Sequence, residues 1–395
     1  MRRPLARRLI GLVGVSLFCE IAYALVVTVA LPLYLGDTLG WRDRYIGPVL
    51  SAFLLAETLF KAPLAHLSDR VGRKPLIVFG ILVSIASVLL MTRATGWATF
   101  MVLSAVNGVG GAALWPSVFA SVADVTTDEE RVHSMSVFNM MYMIGLGVAP
   151  ILKSIVTKVA AHANDVFPFT AAVFGAALAT AGFLIPWHRG SAHKDGSPHP
   201  DAEHRMIFPV LAFFMTMSFF QTLGLQIMNG PLVRYVKVDL GLKEEHIGWP
   251  FLVLAVAVAV LAVPIGGLGG RWGRVRSVMI GLGLASIGMF LLPMHHTVAW
   301  FLAVAIPMIL GFLLSIPAWL AIITDLAPIS WRGRVYGYVA TAQGVGAIAG
   351  PTLGMWLRDL HGHGSPFLLS GCVLALTFIG GAVGLKEDMR AVTDK

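Results

Sequence analysis

The chain is cut into about twelve apolar runs, each near the ~20 residues that an α-helix needs to cross a bilayer. In hydrocarbon every backbone N–H and C=O has to find its partner within the segment, so runs of this length fold as helices. Composition agrees, because 57% of the residues are hydrophobic and only 13% are charged, far from a soluble domain. The sequence therefore predicts an all-α membrane protein. The first six spans fall at 9–35, 46–68, 75–93, 97–123, 134–160 and 167–187. The second six fall at 206–235, 246–269, 276–294, 298–324, 334–357 and 366–385. They form an N-terminal six-helix bundle (1–187) and a C-terminal six-helix bundle (206–395), joined by a cytoplasmic linker at 188–205 rich in His, Ser, Gly and Pro.

The first eight residues carry four arginines, and the apolar run behind them is too long for a signal-peptide core. It is read as a first span that stays. Lys and Arg concentrate in the connectors on the N-terminal side of the membrane, which places both termini in the cytoplasm of an inner (plasma) membrane. The net charge of +8 is spread through short loops, so it reports orientation and not nucleic-acid binding. Cys19 and Cys372 both fall inside spans, which argues against a disulfide framework.

A repeat is superimposed on the spans. The polar connector Ala65–Lys74 between spans 2 and 3 returns 201 positions later as Gly266–Val275 between spans 8 and 9. Leu67, Arg70, Gly72 and Arg73 recur as Leu268, Arg271, Gly273 and Arg274, whereas Asp69 becomes Gly270. The same register matches Ile46-Gly47 with Ile247-Gly248, and Pro63, Pro116 and Pro150 with Pro264, Pro317 and Pro351. It also pairs Asp124 with Asp325 and Arg131 with Arg332. Matched prolines deep in several helices are not explained by shared connector composition. Two six-helix halves of one topology place a solute site between them near mid-membrane and suit alternating access.

Twelve spans in two parallel halves, with Leu67-Ser68-Asp69-Arg70-Val71-Gly72-Arg73-Lys74 between spans 2 and 3, resemble the major facilitator superfamily over essentially the whole chain. The opening Gly of that signature is Ala65 here. The resemblance implies the two-bundle major facilitator fold, a small-molecule substrate and a monomer. It also implies that Asp69, with Arg70, Gly72 and Arg73, latches the inner gate against the start of span 11 near Arg334. Gly145-Leu146-Gly147-Val148-Ala149-Pro150 in span 5 and Gly346, Gly350, Pro351 and Gly354 in span 11 resemble the helix signature of drug–proton antiporters. Small residues at this spacing let helices approach and the proline bends them, for rocking or for ordinary packing. Asn107-Gly108-Val109-Gly110-Gly111 in span 4 resembles a second antiporter signature, with Ser104 where that signature has an arginine.

Ionisable groups at membrane depth are costly and mark function or internal pairing. Glu20 lies about twelve residues into span 1, ~18 Å deep at 1.5 Å per residue. Glu57 lies at similar depth in span 2, with Lys61 one turn along the same face. Glu20 is the expected proton carrier. Glu57–Lys61 is either a pair that rearranges or meets a charged solute, or an inert structural pair. In the second copy Glu20 becomes Gln221, which with Gln226 and Asn229 gives span 7 a polar face; Tyr23, Asn107, Trp115 and Trp319 are further lining candidates. Lys153 is expected to snorkel to the interface, and Arg234, Lys237 and Arg358 to serve as anchors. The histidines at 188, 193, 199 and 204 lack the spacing of a metal site, and no nucleotide loop is present, so neither cofactor nor metal is expected. The expectation is a secondary transporter, a proton-coupled exporter of an amphipathic or drug-like solute. The alternatives are a lipid, siderophore or metabolite carrier working by symport or uniport, and a non-transporting receptor or scaffold. No nucleophile–base constellation supports an enzyme.

Overall fold

The computed structural model describes residues 3–125, 128–159, 162–185, 204–326 and 332–393, and among these the regular structure is helical throughout. Each predicted span has a helix. The first, α1, runs over 3–38 and contains π-helical turns at Ala24–Ala30 and Tyr34–Thr38. It is followed by α2 (Asp43–Val71), α3 (Arg73–Met91), α4 (Trp97–Val125), α5 (Asp128–Val159) and α6 (Val166–Leu184). In the second copy α7 comprises His204–Gln226, a turn at 227–230, then Pro231–Arg234 and Tyr235–Asp239. After it come α8 (Gly248–Trp272), α9 (Arg274–Leu291), α10 (Val298–Leu326), α11 (Arg332–His361) and α12 (Ser365–Thr393). Among the described residues, nine helices are long and apolar enough to cross a membrane. The proposed linker lies almost wholly outside the described residues, as do the histidines at 188, 193 and 199.

The repeat read from sequence is present in the backbone. The π-helical turn Tyr34–Thr38 has its counterpart in Tyr235–Asp239, 201 positions on. Gly72 and Gly273 stand at the same joint between helices with φ of 113° and 86°, a region that costs a side chain but not glycine. That joint lets α2 stop and α3 start within a single residue.

Packing repeats as well. In the first copy α4 lies against α2 and α3, α6 against α1 and α3, and α5 against α1. In the second, α9–α10, α9–α12, α7–α12 and α7–α11 pack in the corresponding way. The closest approaches run through glycine: a Cβ on Gly80 would come 2.5 Å from the Gly110 carbonyl oxygen, and a Cβ on Gly281 would collide with that of Gly311. Without a hydrophobic drive between helices in lipid, such close backbone contact is what holds them together.

Clustering of contacts divides the chain into two compact units. One contains Met1–His193 with Val233–Ala255, the other Lys194–Leu232 with Val256–Lys395. By register the stretch Val233–Ala255 belongs to the second copy; by contact it belongs to the first unit.

Filling these contacts tests the packing. Gly80→Ala and Gly281→Ala are expected to destabilise by about 1–3 kcal/mol, the usual cost of overpacking. Gly175→Ala, where an added Cβ meets nothing within 4 Å, is the matched control. Thermal unfolding in detergent distinguishes the two cases.

Candidate functional site

In the first unit, α1, α2, α4 and α5 bring the mid-depth candidates of the first copy together. Glu20 is only 5% exposed, and its side chain rests on Gly145 of α5, where an added Cβ would sit 2.9 Å from that of Glu20. The small residue is therefore what admits the carboxylate between α1 and α5. One turn on, the buried Tyr23 hydroxyl shares a hydrogen bond of 2.7 Å with Ser84 Oγ of α3. Its ring packs against Phe53, Trp115 and Phe174 at centroid distances of 5.6, 6.2 and 4.9 Å.

Gly111 on α4 faces the same group. A Cβ there would lie 3.5 Å from the Phe53 ring, 3.6 Å from Glu57 Cγ and 3.8 Å from the Tyr23 ring. Glu57 and Lys61 form the expected ion pair at 2.8 Å, with the carboxylate 16% exposed and the amine 50% exposed. Asn107 and Ser104, one turn apart on α4, are fully buried, and their side-chain polar atoms have no hydrogen-bond partner among the described residues.

The candidates of the second unit form a separate set. Gln221 is buried, Asn229 Nδ2 donates to Gln226 Oε1 at 3.2 Å, and Trp319 Nε1 donates to Ser218 Oγ at 3.1 Å. Phe214 packs on Trp319 at 5.2 Å. Gly346 and Gly350 of α11 lie directly on the α7 backbone, where added Cβ atoms would come 2.5 Å from Phe219 O and from Gln226. Pro150 and Pro351 stand inside α5 and α11.

At the α2–α3 joint, Arg73 pairs with Asp69 and reaches Asp124 of α4 at 3.2 Å. Its Nη1 also donates to Ser68 Oγ at 3.4 Å, and Ser117 Oγ donates to Ser68 Oγ at 2.9 Å. Arg73 thus binds both acids to the end of the bundle, while Arg70 stays exposed. The Arg334 side chain, the expected far partner of Asp69, lies outside the described residues.

The opposite end of the same unit holds a cluster that the sequence did not predict. Lys153 does not snorkel. It is 4% exposed, donates to Thr157 Oγ1 at 2.8 Å and pairs with Glu244 at 2.8 Å. Glu244 also holds Lys237 at 2.5 Å, Lys237 holds Asp37 at 2.7 Å, Asp37 meets Arg234 at 3.4 Å, and Arg234 meets Asp43 at 2.8 Å. Lys237 and Arg234 are therefore links in a ladder of alternating charge, not isolated interfacial anchors. Burial alone would raise the Glu244 carboxyl, but the hydrogen bonds and charges of Lys153 and Lys237 outweigh it and hold it below its ordinary value. Its stabilising contribution is thus present above the ordinary carboxylate value and is lost only as pH falls through the lowered one. One sequence signal existed: Asp43 and Glu244 are 201 positions apart, so both copies carry an acid at the same point.

Comparison with known proteins fits this architecture. Multidrug resistance protein 2 of Bacillus subtilis (strain 168) is 26% identical over 337 residues, covering 83% of each chain. The inner membrane transport protein YajR of Escherichia coli (strain K12) is 25% identical over 366 residues, 88% of this chain and 76% of that one. The solved structure of the nucleoside transporter NupG superposes with a TM-score of 0.81 at 13% identity, over 95% of this chain and 98% of that one, a likeness of fold. The Major Facilitator Superfamily profile matches residues 13–225 and 210–392. With those two matches together covering nearly the whole length, the chain belongs to the major facilitator superfamily of membrane transporters.

Proposed function

We propose that the protein is a proton-coupled secondary transporter that exports a small amphipathic or drug-like solute by alternating access. The observation that carries this reading is Glu20, a carboxylate buried at mid-helix in an apolar span and seated on Gly145 of the gate-type helix α5. A carboxylate at that depth is costly when charged, so proton uptake and release there are coupled to whatever changes its surroundings. A shift of α5 against α1 changes the surface against which the carboxylate lies. The names of the multidrug relatives support an exporter of drug-like solutes.

Glu57 and Lys61 give the solute a polar foothold beside the aromatic rings of Tyr23, Phe53 and Trp115. Glu57 is mostly covered whereas Lys61 is half exposed, so the lysine is the partner free to leave. An amphipathic cation would take its place on the carboxylate and stack on the rings. Asn107, with its amide unpartnered by any described residue, is a further group that a polar substituent could satisfy. In this reading Asp69, Arg73 and Asp124 open and close the cytoplasmic end. The second reading, a metabolite carrier working by symport or uniport, is favoured by one observation: Ser104 stands, fully buried, where the antiporter signature has an arginine.

Two measurements test proton coupling and the solute's foothold. In proteoliposomes, candidate solutes are expected to evoke proton movement with wild type and none with Glu20→Gln. Solute flux without proton movement in either protein would establish a uniporter. For the foothold, Glu57→Gln is expected to raise the half-saturating concentration of cationic solutes about 5- to 10-fold, equivalent to roughly 1–1.4 kcal/mol. Lys61→Gln should lower it, because the competing amine is gone. A solute carrying an anion would show the opposite signs.

A further inference from the structure

The first unit carries a basic and aromatic patch at the end opposite Asp69, where α2 and α4 both begin. Arg44 and Tyr45 lie in the first turn of α2, and Trp97 opens α4. Arg44 Cζ stands 4.9 Å from the centre of the Tyr45 ring, and its Nη2 donates to Tyr45 Oη at 3.2 Å. The Tyr45 ring meets that of Trp97 edge-on, with 6.4 Å between centroids. Trp97 Nε1 donates to the Tyr45 carbonyl oxygen at 2.8 Å, so the one donor of the indole is committed and the ring is fixed in place. Even so, Tyr45 remains 44% and Trp97 40% exposed. Arg42, beside this group in sequence, and Arg93, four residues before Trp97, are exposed as well. Asp43, the acid between Arg42 and Arg44, faces Arg234 at 2.8 Å.

Membrane position alone does not produce this arrangement. Lys and Arg are disfavoured in short connectors on the side away from the cytoplasm. That is the side on which these three arginines stand, in the orientation expected from the Lys and Arg distribution. A general belt of interfacial aromatics would recur in the second copy, and this one does not. There, 201 positions on, Arg44, Tyr45, Arg93 and Trp97 become Glu245, His246, Met294 and Val298. The charge reverses at the first position, and the phenol and the indole are gone.

The patch joins two kinds of surface. A guanidinium is weakly hydrated and presents paired donors that match a phosphate. Exposed Tyr and Trp rings suit the headgroup level, where one side is wet and the other apolar. On the membrane side of them, Leu89 and Leu90 of α3 and Val102 and Val106 of α4 are 36–61% exposed. A soluble anion would use the arginines and leave that apolar surface idle, whereas a phospholipid uses both. The surplus of positive charge favours an anionic headgroup over a zwitterionic one, whose amine the arginines repel.

We propose that Arg44, Tyr45 and Trp97 form a binding site for one anionic phospholipid of the non-cytoplasmic leaflet, with Arg42 and Arg93 adding charge around it. The phosphate sits on the Arg44 guanidinium, which Tyr45 holds in place, and the acyl chains lie along α3 and α4. The site involves neither solute nor proton coupling, so its test stands apart from the transport reading.

The test is quenching of Trp97 fluorescence in vesicles by lipids with brominated acyl chains, read as the difference between the parent and Trp97→Phe. Brominated phosphatidylglycerol, at equal low mole fraction in phosphatidylcholine vesicles, is expected to quench Trp97 about fivefold more efficiently than brominated phosphatidylcholine. Arg44→Gln should bring that ratio towards one and Arg44→Glu should abolish it, whereas Arg44→Lys should keep most of it. Raised salt should lower it in the parent. Trp300, near the start of α10 in the second copy, is the internal control, since its Nε1 likewise donates to a main-chain carbonyl, that of Leu291, at 2.8 Å. Its own signal, read through Trp300→Phe, should show a ratio near one. Arg276→Gln, which removes an exposed charge from α9, should leave the Trp97 ratio unchanged. Equal quenching of Trp97 by the two lipids, an equal preference at Trp300, a preference that survives Arg44→Glu, or an equal loss with Arg276→Gln would overturn the site. Loss of the preference on adding inorganic phosphate would overturn the lipid as its occupant, because the bound anion would then be a soluble one.

Discussion

A backbone in hydrocarbon has no water to satisfy its N–H and C=O groups, and the rest of this structure follows from that constraint. It fixes every span as a helix and leaves association between helices to close contact. Glycine supplies that contact at Gly80–Gly110 and Gly281–Gly311, and again where Gly346 and Gly350 lie on α7. It also makes each polar group in a span expensive, and several of them meet a partner here, although Ser104 and Asn107 meet none among the described residues. The Tyr23 hydroxyl meets Ser84, Lys153 meets Glu244, and Glu57 meets Lys61.

The polar groups of the first unit fall at three levels. Asp69, Arg73 and Asp124 are tied together at one end, Lys153 through Asp43 at the other, and Glu20, Tyr23 and Glu57 lie between. In the alternating-access reading proposed above, such a division offers a group that responds to the transported species at mid-depth and fastenings at either end. Ion pairs suit the ends because water can take over their charges. A buried carboxylate suits the middle because water is scarce there.

Duplication supplied the frame and divergence supplied the chemistry. The two copies share the π-helical turns, the glycine joints and the pattern of helix pairing. They differ at Asp69 against Gly270, Glu20 against Gln221 and Lys153 against Gly354. In each case the first copy carries the charge and the second a neutral or absent side chain. At these three positions the charge sits in the first copy, while in the second Gly346, Gly350 and Gly354 bring α11 directly onto α7.

The sequence by itself determined the helical class, the number and placement of the spans, the 201-residue repeat and the family. These depend on local hydrophobicity and on comparing one stretch with another. It also singled out Glu57–Lys61, because an i, i+4 pair on one helix is a local matter. Only the tertiary structure decided who meets Lys153. Its partner Glu244 is 91 residues away, and depth along its own helix said nothing of a carboxylate arriving from another. For the same reason the seating of Glu20 on Gly145 and the joining of Val233–Ala255 to the first unit were invisible beforehand. Hydrophobic pattern places a residue at a depth in the membrane, but the neighbour across the helix interface is set by how the helices pack.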